Sequence, residues 1–304
     1  MMIGHRLSRA ARELELEEVG SIGWRAVLSG AAAGALALAV MLYAWVPRGP
    51  LSSMLYRPEL WMSLCTALIV AHAPTAVRSV LAYRELEKLN ADLPVLAGSM
   101  YSNLSAGLDA RRSLVMSALK LTSAPLRRRV LLLEALLWEE GLSSALEKVT
   151  RGLPERAAVV FSLLQPLFEG GGRAAEVAEV LADFARRMLV FDRIKRDTLR
   201  SYLYIVLMAV LIFEGACVLM LYISQRIYAG GAGLGLLTPP IEPKIMWIYM
   251  YIGNMLISLF ASLFISKIVR GKIKYYSDHF LLLLVLHHVI AGYVPLRLIF
   301  GAST

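Results

Sequence analysis

The chain has 304 residues, of which 58% are hydrophobic, and a formal net charge of +9. Soluble domains sit near about 45–50% apolar, so this excess excludes an ordinary soluble protein and points to a lipid bilayer. The two cysteines, Cys65 and Cys217, lie in apolar runs without a CxxC or secreted spacing, which excludes a disulfide framework and leaves them as packing residues.

Residues 1–25 are charged and amphipathic and show no cleavable signal. The first apolar run, Ala26–Val46, is rich in alanine and glycine. Leu60–Val77 is shorter and holds His72 and Pro74. Ser201–Gln225, Ile245–Ser266 and Phe280–Phe300 are long enough to be membrane helices. The expected architecture is therefore an all-α membrane protein with about five transmembrane helices and one cytoplasmic helical bundle. Its parts are a cytoplasmic segment 1–25, two helices in 26–77, the bundle in 78–200 and three helices in 201–304.

Charge gives the orientation. Segment 1–25 has four arginines, 78–200 has 19 lysines and arginines, and 267–279 has four, so these hold 27 of the 32 basic residues. Short cytoplasmic loops are enriched in Lys and Arg, which places all three regions in the cytoplasm of a multi-pass inner-membrane protein with a cytoplasmic N-terminus. Topology and attraction to anionic lipid account for the net charge, so no nucleic-acid partner is expected.

Region 78–200 reads as helix throughout. Leu93, Leu96, Met100 and Leu104 recur at helical spacing, as do Leu126, Val130, Leu133 and Leu137. Val177, Val180, Leu181, Phe184, Met188 and Phe191 form a third stripe. Pro125 and Pro154 suit first turns, Ser144 and Glu147 have capping-box spacing, and Gly107, Gly141, Gly152 and Gly170–Gly172 mark turns. About six short helices are expected. No proline interrupts Arg173–Gln225, so the third stripe either runs straight into the third span, roughly 75 Å of helix, or breaks near Asp197–Arg200.

Several local signals bear on function. Gly170-Gly171-Gly172-Arg173 before a helix lacks the GK[ST] ending of a phosphate loop and reads as a joint between helices, with Glu169 beside the positive end of the next one. His72, His287 and His288 have no acidic or thiol residue at ligand spacing, so packing is expected and no metal or other cofactor. There is no nucleophile elbow, no HExxH and no Ser–His arrangement, hence no catalytic residue and no enzyme. Glu214 falls near the middle of the third span, where an acid is costly; Asn254 in the fourth span falls at similar depth, and a protonated Glu214 bonded to it would lock two helices together. Arg111-Arg112 and Arg127-Arg128-Arg129 stand near the starts of two successive helices, where the dipole disfavours cations. A partner surface, a solvated face and lipid contact are the three readings of these arginines.

Order and spacing give a resemblance covering about residues 84–300. Leu93-Pro94 followed by Ser105-Ala106-Gly107-Leu108, then Gly141-Leu142-Ser143-Ser144-Ala145-Leu146, then Pro154 and Phe168-Glu169-Gly170-Gly171-Gly172, resemble the opening, the middle turn and the glycine joint of the type II secretion system F family. These are platform proteins of type IV pili, archaella and Tad-type pili, and the layout is similar to the short, single-domain Tad-like members. The acid here precedes the glycines, where the family has it among them. The resemblance implies a non-enzymatic inner-membrane platform that couples a cytoplasmic hexameric ATPase to assembly of pilin-like subunits. With the ATPase as the partner that it implies, Arg111, Arg112, Arg127, Arg128 and Arg129, singled out by their place at helix starts, become ATPase-docking candidates, and the single-domain layout suggests a homo-oligomer or a pair with a similar chain. The competing reading is a secondary transporter or permease subunit, with Glu214, Asn254 and the span histidines along a path.

Overall fold

The structure is a computed structural model that describes residues 23–45, 55–231 and 242–295. Most of segment 1–25, parts of the loops 47–59 and 226–244, and the end of the fifth apolar run with the C-terminus lie outside the described residues. The described residues are helical, with no strand among them. In chain order the helices are α1 (Trp24–Trp45), α2 (Pro58–Ser105), α3 (Ala110–Ala118), α4 (Ala124–Glu139), α5 (Leu142–Thr150), α6 (Glu155–Ser162), α7 (Gln165–Glu169), α8 (Ala174–Gly231), α9 (Pro243–Arg270) and α10 (Ser277–His287). A π-helical segment, His288–Tyr293, continues α10. Four helices are long and apolar enough to cross a membrane: α1, α2, α8 with the short turn before it, and α9. The fifth apolar segment, Ser277–Tyr293, is shorter over the described residues.

The chain divides into two compact units. One takes Leu81–Asp197, and the other takes the described parts of Ile22–Val80 and Thr198–Thr304. The first has a single apolar core, built from Leu93, Leu96 and Met100 on α2, Leu126, Val130 and Leu133 on α4, and Phe161, Leu164 and Leu167 after them. Burial of each large side chain contributes roughly 1.5–3 kcal/mol. Polar groups fix the ends of these short helices. Asp92, buried on α2, accepts from the Ser123 backbone N–H at 2.6 Å and the Thr122 hydroxyl at 3.0 Å, so one helix caps the start of another. Arg196 pairs with Glu87 at 2.6 Å, and Arg156 pairs with Asp192.

Two local expectations change. The third stripe faces the core only in part: Leu181 is buried and Val177 packs against the core, but Val180 and Phe191 are 70% and 65% exposed, and Ala178, Ala182 and Ala185 take the remaining buried positions. Small side chains let α8 lie close to its neighbours, and that close packing prevails over bulk. The spacing Ser144–Glu147 makes no capping box; Gly141 at φ +81° begins α5, and the Ser144 hydroxyl donates to Glu140 instead. Helix α2 continues through Pro74 and Pro94, each at the cost of one backbone hydrogen bond. Helix α8 also runs unbroken past Asp197–Arg200, for 58 residues.

In the second unit, α1 meets α2 through Gly30 and Gly34. A Cβ added at Gly34 would lie 2.5 Å from the Ala71 Cβ, and one at Gly30 would collide with the Ala71 carbonyl oxygen. This small-xxx-small spacing brings two backbones together. Asn254, Ser258, Ser262 and Ser266 form a buried seam along α9. The turn after α9 is clamped by Arg270, which binds both oxygens of Asp278, at 2.8 and 2.5 Å, and donates to the Tyr275 carbonyl and the Ser79 hydroxyl. Replacing Gly34 with leucine should push α1 off α2. We expect a disulfide cross-link engineered between the two helices to form in the parent and to be lost in the Gly34→Leu variant, with about 1–3 kcal/mol of destabilisation from overpacking.

Candidate functional site

The concentration of polar chemistry lies in the second unit, among helices otherwise lined by apolar side chains. Glu214 on α8 is 1% exposed, and His287 at the end of α10 is fully buried. The His287 Nδ1 stands 3.2 Å from the Glu214 Oε1. Their outer atoms, Glu214 Oε2 and His287 Nε2, are buried and have no hydrogen-bond partner among the described residues. One turn along α8, the Cys217 thiol contacts the Asn254 Oδ1 at 3.9 Å. The expected Glu214–Asn254 bond is therefore replaced: His287 takes the carboxylate, and Asn254 meets a thiol. Sequence counting located the acid but not its partner, because depth along two helices does not fix which faces meet.

A second histidine extends the cluster. The Tyr251 hydroxyl is 2.9 Å from the His288 Nδ1, and the Tyr251 ring lies 4.4 Å from that of His287, centroid to centroid. The His288 Nε2 reaches the Thr66 hydroxyl at 3.5 Å. Both histidines stand where α10 passes into its π-helical segment. Such bulges release backbone groups, and here the Trp247 indole N–H donates to the Ala291 carbonyl at 2.8 Å. Gly292 sits close to the Tyr251 ring, where a Cβ would come within 3.3 Å. The adjacent His287-His288 pair was the available signal in the sequence, and its reading as simple packing missed the Glu214 contact. His72 sits apart, edge-on to Phe280 at 4.9 Å. No group of three or more His, Cys, Asp or Glu among the described residues is arranged to hold a metal.

The arginines of the first unit separate into different roles. Arg129 is 4% exposed and donates to the Val149 and Arg151 carbonyls at 2.7 Å each, closing the C-terminal end of α5. Burial pushes its pKa below the usual arginine value. It is a structural residue and leaves the docking set. Arg111 lies over the Trp138 ring at 3.7 Å. Arg112 adjoins Asp109, which caps α3 and so offsets the cations at that helix start. Arg127 and Arg128 are exposed and make no ion pair among the described residues. In the glycine joint, Gly170 packs tightly against the Pro166 carbonyl and Gly171 takes φ +51°, while Glu169 is exposed and accepts from Gln165 at 3.0 Å.

No protein-family model, no curated protein and no solved structure matches this chain.

Arg129→Ala should strand two carbonyls and lower the melting stability of the protein by about 1.5–3 kcal/mol, the range for bonds from a charged donor. Arg127→Ala and Arg128→Ala should change it by no more than about 0.5 kcal/mol. Thermal or denaturant unfolding of the three variants reads the difference.

Proposed function

We propose that this protein is a polytopic inner-membrane platform of a filament or secretion machine of the type IV pilus class. Its helical bundle, on this reading, receives a cytoplasmic hexameric ATPase, and its membrane helices receive pilin-like subunits. The membrane part of the reading is supported by four long apolar helices and by the character of their surfaces. On α8, Ile205, Met208, Ile212 and Leu219 are all more than half exposed. A surface of that kind needs lipid or protein around it, since large exposed apolar patches are rare in water. The fifth crossing, α10 with its π-helical continuation, completes a five-span topology with 1–25, 78–200 and 267–279 inside.

The observation that carries the coupling role is continuity. Helices α2 and α8, of 48 and 58 residues, each contribute to both units without a break. An uninterrupted helix transmits displacement along its axis, whereas a hinge would absorb it. This mechanical link, together with the order of apolar helices around a helical bundle and the resemblance at residues 84–300, favours a coupling part over a catalyst. The reading includes a homo-oligomer or a pair with a similar chain.

One observation favours a transporter or permease subunit instead. Ionisable residues buried inside membrane helices often mark ion paths, and Glu214 with His287 is such a pair.

Two experiments test these readings. An impermeant thiol reagent applied to intact cells should label a cysteine introduced at Gly231 and not one at Lys272; Cys65 and Cys217 are buried and give no background. The reverse pattern sinks the topology. Charge reversal of Arg127 and Arg128 together should leave the protein in the membrane fraction but abolish co-purification with a secretion ATPase encoded beside it. Steering by a basic patch also predicts that the parental association weakens with salt. Unchanged ATPase binding in the double variant removes these residues from the interface.

A further inference from the structure

Three carboxylates in this protein are held by neighbours in very different ways. Asp92 accepts from a hydroxyl and a backbone N–H. Asp278 is held in charged form by the Arg270 guanidinium and by His279 at 3.0 Å, contacts that outweigh its partial burial. Among the described residues Glu214 has neither fixed donors nor a permanent cation; its partner there is the imidazole of His287, and each group keeps a buried atom with no hydrogen-bond partner on its far side.

The groups facing this pair add no compensating charge. They are Cys217 on α8, Cys65 on α2, Tyr251 and Asn254 on α9, and His288 next along the chain. None of them is a permanent cation or anion. With one proton between them, Glu214 and His287 are neutral overall, either as imidazolium and carboxylate or as imidazole and carboxylic acid. With no proton a carboxylate is isolated, and with two an imidazolium is isolated. Burying either lone charge is costly unless the packing changes. Occupancy by a proton is therefore coupled to the contact between α8 and α10.

We propose that Glu214 and His287 together form a proton-binding site that takes up and releases one proton, and that this occupancy sets how α8 and α10 pack. The carboxylate–imidazole contact, with a buried atom on each far side that has no partner among the described residues, gives one proton a place to sit without leaving a lone buried charge. The site stands whether the chain is a platform or a transporter. In a platform it would make the position of the long helix α8 sensitive to proton occupancy.

The test is infrared difference spectroscopy of the full-length protein in lipid nanodiscs, stepped between about pH 5 and about pH 9, a range that brackets the ordinary histidine value. Carboxyl and imidazole bands should change together at one midpoint. Glu214→Gln should remove the carboxyl change, and His287→Gln should move the Glu214 midpoint by at least about one pH unit, the scale of coupled sites. Bands that stay constant across the range would make the pair a fixed lock and overturn the proposal. So would a Glu214 midpoint that His287→Gln leaves in place. If Glu214→Gln fails to accumulate, isotope-labelled glutamate in the parent and in His287→Gln gives the same decision. None of these outcomes depends on ATPase binding, so the proton site and the platform reading fail separately.

Discussion

Among apolar helices, the interaction with the greatest consequence is the contact between a buried carboxylate and a buried imidazole. Glu214 and His287 come from different helices and meet 3.2 Å apart. Neither is tolerable there alone in its charged form, because an isolated charge in an apolar interior is far more costly than a neutral side chain. The contact therefore specifies which face of α8 turns toward α10. It also draws in the groups around it. Tyr251 stacks on Trp247 at 4.8 Å and covers His287 with its ring. The Trp247 indole satisfies a carbonyl in the π-helical turn that follows. That turn in turn holds His288 beside the Tyr251 hydroxyl.

Elsewhere the second unit is assembled by close approach. Helices surrounded by lipid gain little from burying leucine, since the solvent is equally apolar; small residues and interhelical hydrogen bonds decide the pairing. Gly30 and Gly34 on α1 and the Asn254-to-Ser266 seam on α9 follow this rule. The first unit follows the opposite rule. Its core is leucine, valine and phenylalanine, and its polar contacts sit at helix ends, where backbone groups need partners. Asp92 and Arg129 are the clearest cases, serving the start of α4 and the end of α5.

The difference between these rules explains what the sequence made legible. In the first unit, periodicity located the buried faces of α2 and α4, because apolar burial there follows the hydrophobic pattern: Leu93, Leu96, Met100 and Leu126 are all buried. On α8 it found Leu181 and Val177 but missed the rest of the buried face, where Ala178, Ala182 and Ala185 take the core and Val180 and Phe191 do not. Hydrophobicity alone cannot rank a small residue that permits close packing above a large one. The turns at Gly107, Gly141, Gly152 and Gly171 were legible because positive φ is available to glycine at little cost. Arg129 was not, since nothing in a run of three arginines distinguishes the one that reaches back to Val149 and Arg151. In the second unit the apolar runs were visible by length, but the pairing of faces was not. Glu214 stood out as an acid among apolar residues, and its partner lay 73 positions away, beyond any local pattern.

The long helices connect these two physical regimes. Along α8, the residues before Thr198 belong to a unit held by leucine packing and by ion pairs such as Arg196 with Glu87. The residues after it belong to a unit that adds glycine contacts and buried polar pairs to apolar clusters around Trp247 and Ile265. No proline marks the change, so the backbone hydrogen bonds continue through it. A protein that needed only to anchor a bundle would be served by a flexible connection. Both α2, through its two prolines, and α8 remain unbroken helices that contribute residues to each unit. Glu214 stands on the part of α8 that belongs to the second unit, so its contact with His287 adds a buried polar pair to the helix that both units share.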